Sequence, residues 1–307
     1  MCSNRLLACG AVGMVLMAWS TPPALAVLTP PLVTVSFERD PLDSALALRE
    51  GDVASRVTWN DTAPAFRGDR RGSLSAHFDS RADAARLGWV LPQALSEREP
   101  FTLVAIAQFE PKGFFADPFG YFQISWGLWN SSTTGLDRTG DINSFAADTF
   151  DLVEFNYFPN ESPFFGGPFV APAVLAAADR TNPLFDFLGA FANSSFGSQQ
   201  YKLPLGEPLL IATEYDPKNA TLTTRVWTIG VDGTTAELIE ARAQASLATL
   251  SLPQFTLNRF GLTLWHDGFS SETAALDATV TMEGLAVWRG SNATGSELLA
   301  ALTRNVK

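Results

Sequence analysis

Cysteine is nearly absent from this sequence of 307 residues: only Cys2 and Cys9 occur, both near its start. They lie in MCSNRLLACGAVGMVLMAWSTPPALA, which joins Arg5, an apolar run from Leu6 to Trp19 and the small-residue site Ala24-Leu25-Ala26. That is the layout of a secretory signal spanning residues 1–26 and cleaved after Ala26. A chain starting beyond it contains no thiol, which excludes disulfides, thiol catalysis and thiolate metal sites together. An exported protein without bridges needs a large core, and this length is enough to bury one. Long apolar runs are also missing. Leu6–Trp19 is too short to span a bilayer and leads into prolines, and the closing ELLAALTRNVK is short and polar, so no membrane insertion is expected after signal cleavage.

Positive charge is scarce as well. Lys and Arg number 21 against 32 Asp and Glu, a formal net charge of −11, so neither nucleic acid nor an anionic lipid surface is an expected partner. The histidines are His77 and His266, too far apart in sequence to make a zinc signature. His266 sits beside Asp267 in LWHDG, a pairing that can orient an imidazole or simply mark a surface turn. No glycine-rich phosphate loop and no G-x-S-x-G elbow is present.

Aromatic residues, at 11%, together with 23 Gly and 19 Pro, suit many short strands joined by tight turns. Alternating or β-branched runs recur at 32–38, 56–60, 73–79, 101–109, 121–129, 149–158, 208–215, 221–227, 255–265 and 278–288. Asp216-Pro217-Lys218-Asn219 and Asp232-Gly233 read as hairpin turns. The pattern predicts an all-β fold, an antiparallel two-sheet jelly-roll sandwich, as one domain over 27–290. Residues 164–200, rich in Phe, Gly and Pro without a strand period, read as a long excursion over one face, and 291–307 as a C-terminal tail.

The stretches SFERDP (36–41), GSLSAHFD (72–79), DTFDLVEFNYFPN (148–160), LPLGEPLLIATEYDPKNATLTTRVW (203–227) and ATVTMEGLAVWRG (278–290) resemble the concanavalin A-like lectin/glucanase superfamily, which includes laminarinase-type jelly rolls. In the laminarinase-type enzymes the resemblance implies a central strand bearing Glu-x-Asp-x-x-Glu, its first Glu the nucleophile and its last the acid/base. Here Asp151 and Glu154 match the Asp and the last Glu, and Thr149 stands at the nucleophile position. Retaining hydrolysis needs two carboxyl groups about 5 to 5.5 Å apart, and threonine supplies none. Asp148 points to the opposite face of a regular strand. Strict alternation sets Asp151, Val153, Phe155 and Tyr157 on one face, with Leu152, Glu154, Asn156 and Phe158 on the other. A bulge at Leu152-Val153 would unite Asp151, Glu154 and Asn156 in an acidic trough.

The expected site is therefore a polysaccharide or glycan groove containing Asp151, Glu154, Asn156 and Tyr157, with Trp126 or Trp129 as a stacking ring. Those two tryptophans lie three apart and so face oppositely. Trp265 is a further ring of this kind. Asp151 and Glu154 are also the catalytic candidates, and an inverting pair would need a distant partner such as Asp117 or Asp141. The resemblance also implies a Ca²⁺ site away from the groove, with Glu38 and Asp277 as ligands beside Asp40 or Glu283. The expectation is a secreted, non-catalytic carbohydrate-binding protein. The alternatives are a glycoside hydrolase or polysaccharide lyase, and a structural or adhesive envelope protein.

Overall fold

Period-two alternation is realised as stacked antiparallel sheets, each turning the side chains of one parity toward a shared core. The computed structural model describes residues 30–44, 47–64, 71–110, 123–136, 151–159, 168–175, 202–238, 243–246, 254–266, 275–290 and 292–304. Among these, the larger sheet runs β13 (Thr235–Glu237), β12 (Thr221–Ile229), β11 (Pro208–Asp216), β6 (Phe101–Phe109), β16 (Asp277–Arg289), β4 (Arg71–Asp79) and β3 (Val57–Pro64). In the same sheet β1 (Val33–Ser36) pairs with β16, and β14 (Ala243–Ser246) pairs with β12. The smaller sheet runs β10 (Ala173–Leu175), β8 (Leu152–Phe158), β7 (Ile124–Trp129), β15 (Thr256–Leu264), β5 (Ala85–Ser96) and β2 (Ala47–Glu50), with β9 (Phe169–Val170) on β8.

The inner faces make one core. Leu103, Ala105, Ala107 and Phe109 of β6 alternate inward and meet Leu87 and Trp89 of β5, Trp126 and Leu128 of β7, and Val153, Phe155 and Tyr157 of β8. Trp126 stacks on Phe155 with ring centres 4.1 Å apart, and Tyr157 meets Phe109 edge-on at 5.3 Å. Burying each such ring stabilises the fold by roughly 1.5 to 3 kcal/mol. Both predicted hairpins form. Asp216 accepts from the Lys218 amide at 3.0 Å between β11 and β12, and Gly233, with φ of 79°, turns the chain between β12 and β13.

Two expectations need correction, and one strand was unforeseen. The 291–307 segment is not merely a tail: Gly295–Arg304 forms helix α1, which lays Leu298, Leu299 and Leu302 on Val104, Ile106, Leu210, Ala286 and Trp288 of the larger sheet's outer face. Its start is a capping box, with Thr294 Oγ1 accepting from the Glu297 amide at 3.3 Å and Glu297 Oε2 accepting from the Thr294 amide at 2.8 Å. The excursion contributes sheet, since β9 and β10 extend the smaller sheet beyond β8, while the rest of 164–200 lies outside the described residues. Strand β5 was not anticipated, because Gly88 and Pro92 interrupt its run; Pro92 is exposed.

Candidate functional site: a polar row on the outer face of the smaller sheet

Strand pairing alone assembles the site. Glu50 of β2 faces Arg86 of β5, Arg86 faces Thr263 of β15, Thr263 faces Ser125 of β7, and Ser125 faces Asn156 of β8. One polar residue from each of five neighbouring strands thus forms a continuous row on the face turned away from the core. The adjacent row is Leu48, Gly88, Gly261, Gly127 and Glu154, so three glycines stand side by side on β5, β15 and β7.

This bare strip gives long side chains a floor. A Cβ on Gly88 would lie 2.3 Å from the Trp129 ring, and one on Gly127 would lie 2.7 Å from Cγ of Glu154. Trp129 therefore reaches from β7 across β15 to β5, and Glu154 leans over β7. The Glu154 carboxylate accepts from Thr263 Oγ1 at 2.7 Å and from Trp265 Nε1 at 3.1 Å. Ser125 Oγ donates to the Thr263 carbonyl at 2.8 Å. The Arg86 guanidinium lies 5.1 Å from the Trp129 ring centre and 5.9 Å from that of Trp265, with Nη1 3.4 Å from the Glu50 carboxylate. It also donates to the carbonyls of Thr134 and Gly135. Burial pulls the guanidinium below its ordinary pKa, while the carboxylates of Glu50 and Glu154 act in the opposite direction.

The face keeps unspent hydrogen-bonding capacity. Among the described residues, Asn156 Oδ1, Gln123 Oε1, Trp129 Nε1 and Arg86 Nε are buried without a hydrogen-bond partner. Gln123 immediately precedes β7 and continues its outward parity. Two of these atoms accept and two donate, and each orphan costs about 1 to 3 kcal/mol in desolvation.

The structure separates the predicted site residues. Glu154 and Asn156 are neighbours on this face, as alternation required, but they are at most 1% exposed, so the expected open acidic trough is absent. Strand β8 pairs with β7 and β10 in unbroken register; the bulge at Leu152-Val153 is not there. Asp151 instead precedes the strand with φ of 56°, and its carboxylate accepts from Thr133 Oγ1 and, at 3.2 Å, from the Thr256 amide. It is a loop-tying carboxylate rather than a groove acid. Tyr157 and Trp126 lie on the inner face, fully buried in the core, where Tyr157 Oη accepts from the Leu203 amide at 3.1 Å. Trp129 does face outward, as the opposed pair predicted, but it packs over Gly88 with the Arg86 guanidinium beside it and is 0% exposed. Thr149, Asp148, Asp117 and Asp141 lie outside the described residues.

Glu38 and Asp277, suggested as metal ligands, do not converge. Ser36 pairs with Gly284, which places Glu38 several residues along β16 from Asp277, and Asp277 is bound by His77 Nε2 at 2.8 Å and Arg81 Nη2 at 3.1 Å. Among the described residues, no group of three or more His, Cys, Asp or Glu is placed to hold a metal. His266 Nδ1 lies 3.3 Å from the Ala82 carbonyl, and Asp267 is outside the described residues. Sequence reasoning missed Arg86, Ser125, Thr263 and Glu50. In β5 the polar parity of Arg86 passes through Gly88 and Val90, so the alternation against Ala85, Leu87 and Trp89 is too weak to mark the strand or its arginine.

No protein-family model matches the chain, and no curated protein matches it. Solved structures do. The PL-14 alginate lyase from Aplysia kurodai is 10% identical over 85% of this chain and 100% of that one, with a TM-score of 0.50. Lectin II from Ulex europaeus is 11% identical over 85% and 100%, at 0.42, and the Emp47p carbohydrate recognition domain is 13% identical over 77% and 89%, at 0.39. Two stacked antiparallel sheets, unclosed into a barrel, give this chain a concanavalin A-like jelly-roll fold.

Proposed function

We propose that this chain is an exported protein that binds carbohydrate on the outer face of its smaller sheet without cleaving it. The observation that carries the proposal is the set of buried, unpartnered acceptors and donors on one face: Asn156 Oδ1 and Gln123 Oε1 beside Trp129 Nε1 and Arg86 Nε. Sugar hydroxyls donate and accept at once, so a polyol is the ligand class that satisfies both kinds of orphan. Entry requires the covering side chains to part, since Asn156 is 1% exposed. Binding without cleavage is supported by the carboxylates: Asp151 is committed to Thr133 and Thr256 and so does not pair with Glu154 as the laminarinase-type pattern would have it. Export is supported by the leading segment ending at Ala26.

Asn156→Leu separates a binding role from a packing role. It removes an unpartnered buried oxygen, so stability should hold or rise, by up to about 1 to 3 kcal/mol. Affinity for a polysaccharide, read by calorimetry across a panel of neutral and acidic polymers, should fall by about tenfold or more. No binding by the wild type to any polymer overturns the proposal. Reducing-end or unsaturated-product release that Glu154→Gln abolishes would replace it with hydrolase or lyase action.

A further inference from the structure

Arg259 stands on the same outer face, cross-strand from Trp129 of β7 on one side and Val90 of β5 on the other. Here the face meets solvent: Val90 is 38% exposed and Arg259 is half-buried. Its Nη1 donates to the Asn258 carbonyl at 3.0 Å, and its Nε is buried with no partner. Unlike Arg81, Arg86, Arg225 and Arg289, which all pair with carboxylates, it forms no ion pair among the described residues, although acidic residues outnumber basic ones 32 to 21. Because Nη1 is the end tied to backbone, the edge without a partner among the described residues is the one formed by the buried Nε and by Nη2. That edge is a two-pronged donor whose spacing matches two oxygens of one anion. Arg86 cannot serve in this way, being enclosed between two indoles and spent on Glu50 and two carbonyls.

We propose that Arg259 selects a glycan bearing an anionic group, a uronate carboxylate or a sulfate ester, over a neutral one; this rests on the carbohydrate-binding reading above. The chain's net negative charge does not forbid it. Screening over about 8 Å at physiological salt leaves the nearest cation to decide.

Calorimetric titration with two matched pairs, alginate against carboxyl-reduced alginate and dextran sulfate against dextran, tests the assignment. The wild type should prefer the charged member of at least one pair by about tenfold, less at high salt, and the pair showing the preference identifies carboxylate or sulfate. Arg259→Gln should bring that ratio near one, Arg259→Lys should retain part of it, and an unchanged unfolding midpoint certifies the fold. Wild-type ratios near one in both pairs, or an Arg259→Gln protein that keeps the preference, overturn the role of Arg259 while carbohydrate binding stands. Absence of binding to all four polymers ends this inference, and the wider panel above then decides binding itself.

Discussion

A methyl group at position 88 would sit 2.3 Å from carbons Cη2 and Cζ2 of Trp129, a distance no relaxed contact allows. Gly88→Ala is therefore expected to displace the indole and cost about 1 to 3 kcal/mol, measurable by denaturant unfolding, with a change in tryptophan fluorescence. Gly233 has φ of 79° and open space around it, so Gly233→Ala carries backbone strain alone, about 1 kcal/mol, and should leave the fluorescence unchanged. At this scale, plain alternation was the reliable guide. It set Glu154 and Asn156 on one face and Tyr157 on the other; the errors came from adding a bulge to bring Asp151 into line with the laminarinase pattern and from assigning Tyr157 to the groove all the same. Asp151 was beyond such reasoning because its left-handed backbone and its partners Thr133 and Thr256 are set by tertiary contacts, the latter 105 residues away.

Helix α1 shows what element-level patterns hold in plain view. Thr294-Gly295-Ser296-Glu297 is a capping box, followed by leucines at 298, 299 and 302 on one helical face. Read that way, the segment announces a helix in need of a surface, and the surface is the outer face of β6, β11 and β16. The Glu297 carboxyl is held below its usual range by hydrogen bonds from the Thr294 amide and hydroxyl. A depressed folded value means the cap contributes fully above the ordinary glutamate range and is lost as pH falls through the lowered one. Thermal midpoints of the wild type and Glu297→Gln should accordingly differ at neutral pH and converge in acid. Strand β5 was opaque for the opposite reason. Its glycine makes room for Trp129, a requirement of another strand that no local pattern records.

For the molecule as a whole, every one of the ten anticipated strands overlaps a strand of the sandwich, while the long β5 and the short β2, β9, β10, β13 and β14 escaped notice. Apart from β5, the long strands carry the two-residue period through the core and are legible; of those of two to four residues only β1 was anticipated, the rest carrying too little period to read. The site needed one further step, register, because five single polar residues become a row only when their strands are aligned. That alignment also gives the chain an order of assembly. Strand β16, which follows the other strands in chain order among the described residues, is flanked within the larger sheet by β4 and β6 and also pairs with β1. Until Asp277–Arg289 has been synthesised, its partners lack their shared neighbour, and nascent chains arrested on the ribosome before Asp277 should be cut readily by protease where the released protein resists. A sheet whose middle strand is made after both of its flanking neighbours can close only once that strand slots between them, so the step that completes the sandwich is an insertion rather than an addition at an edge.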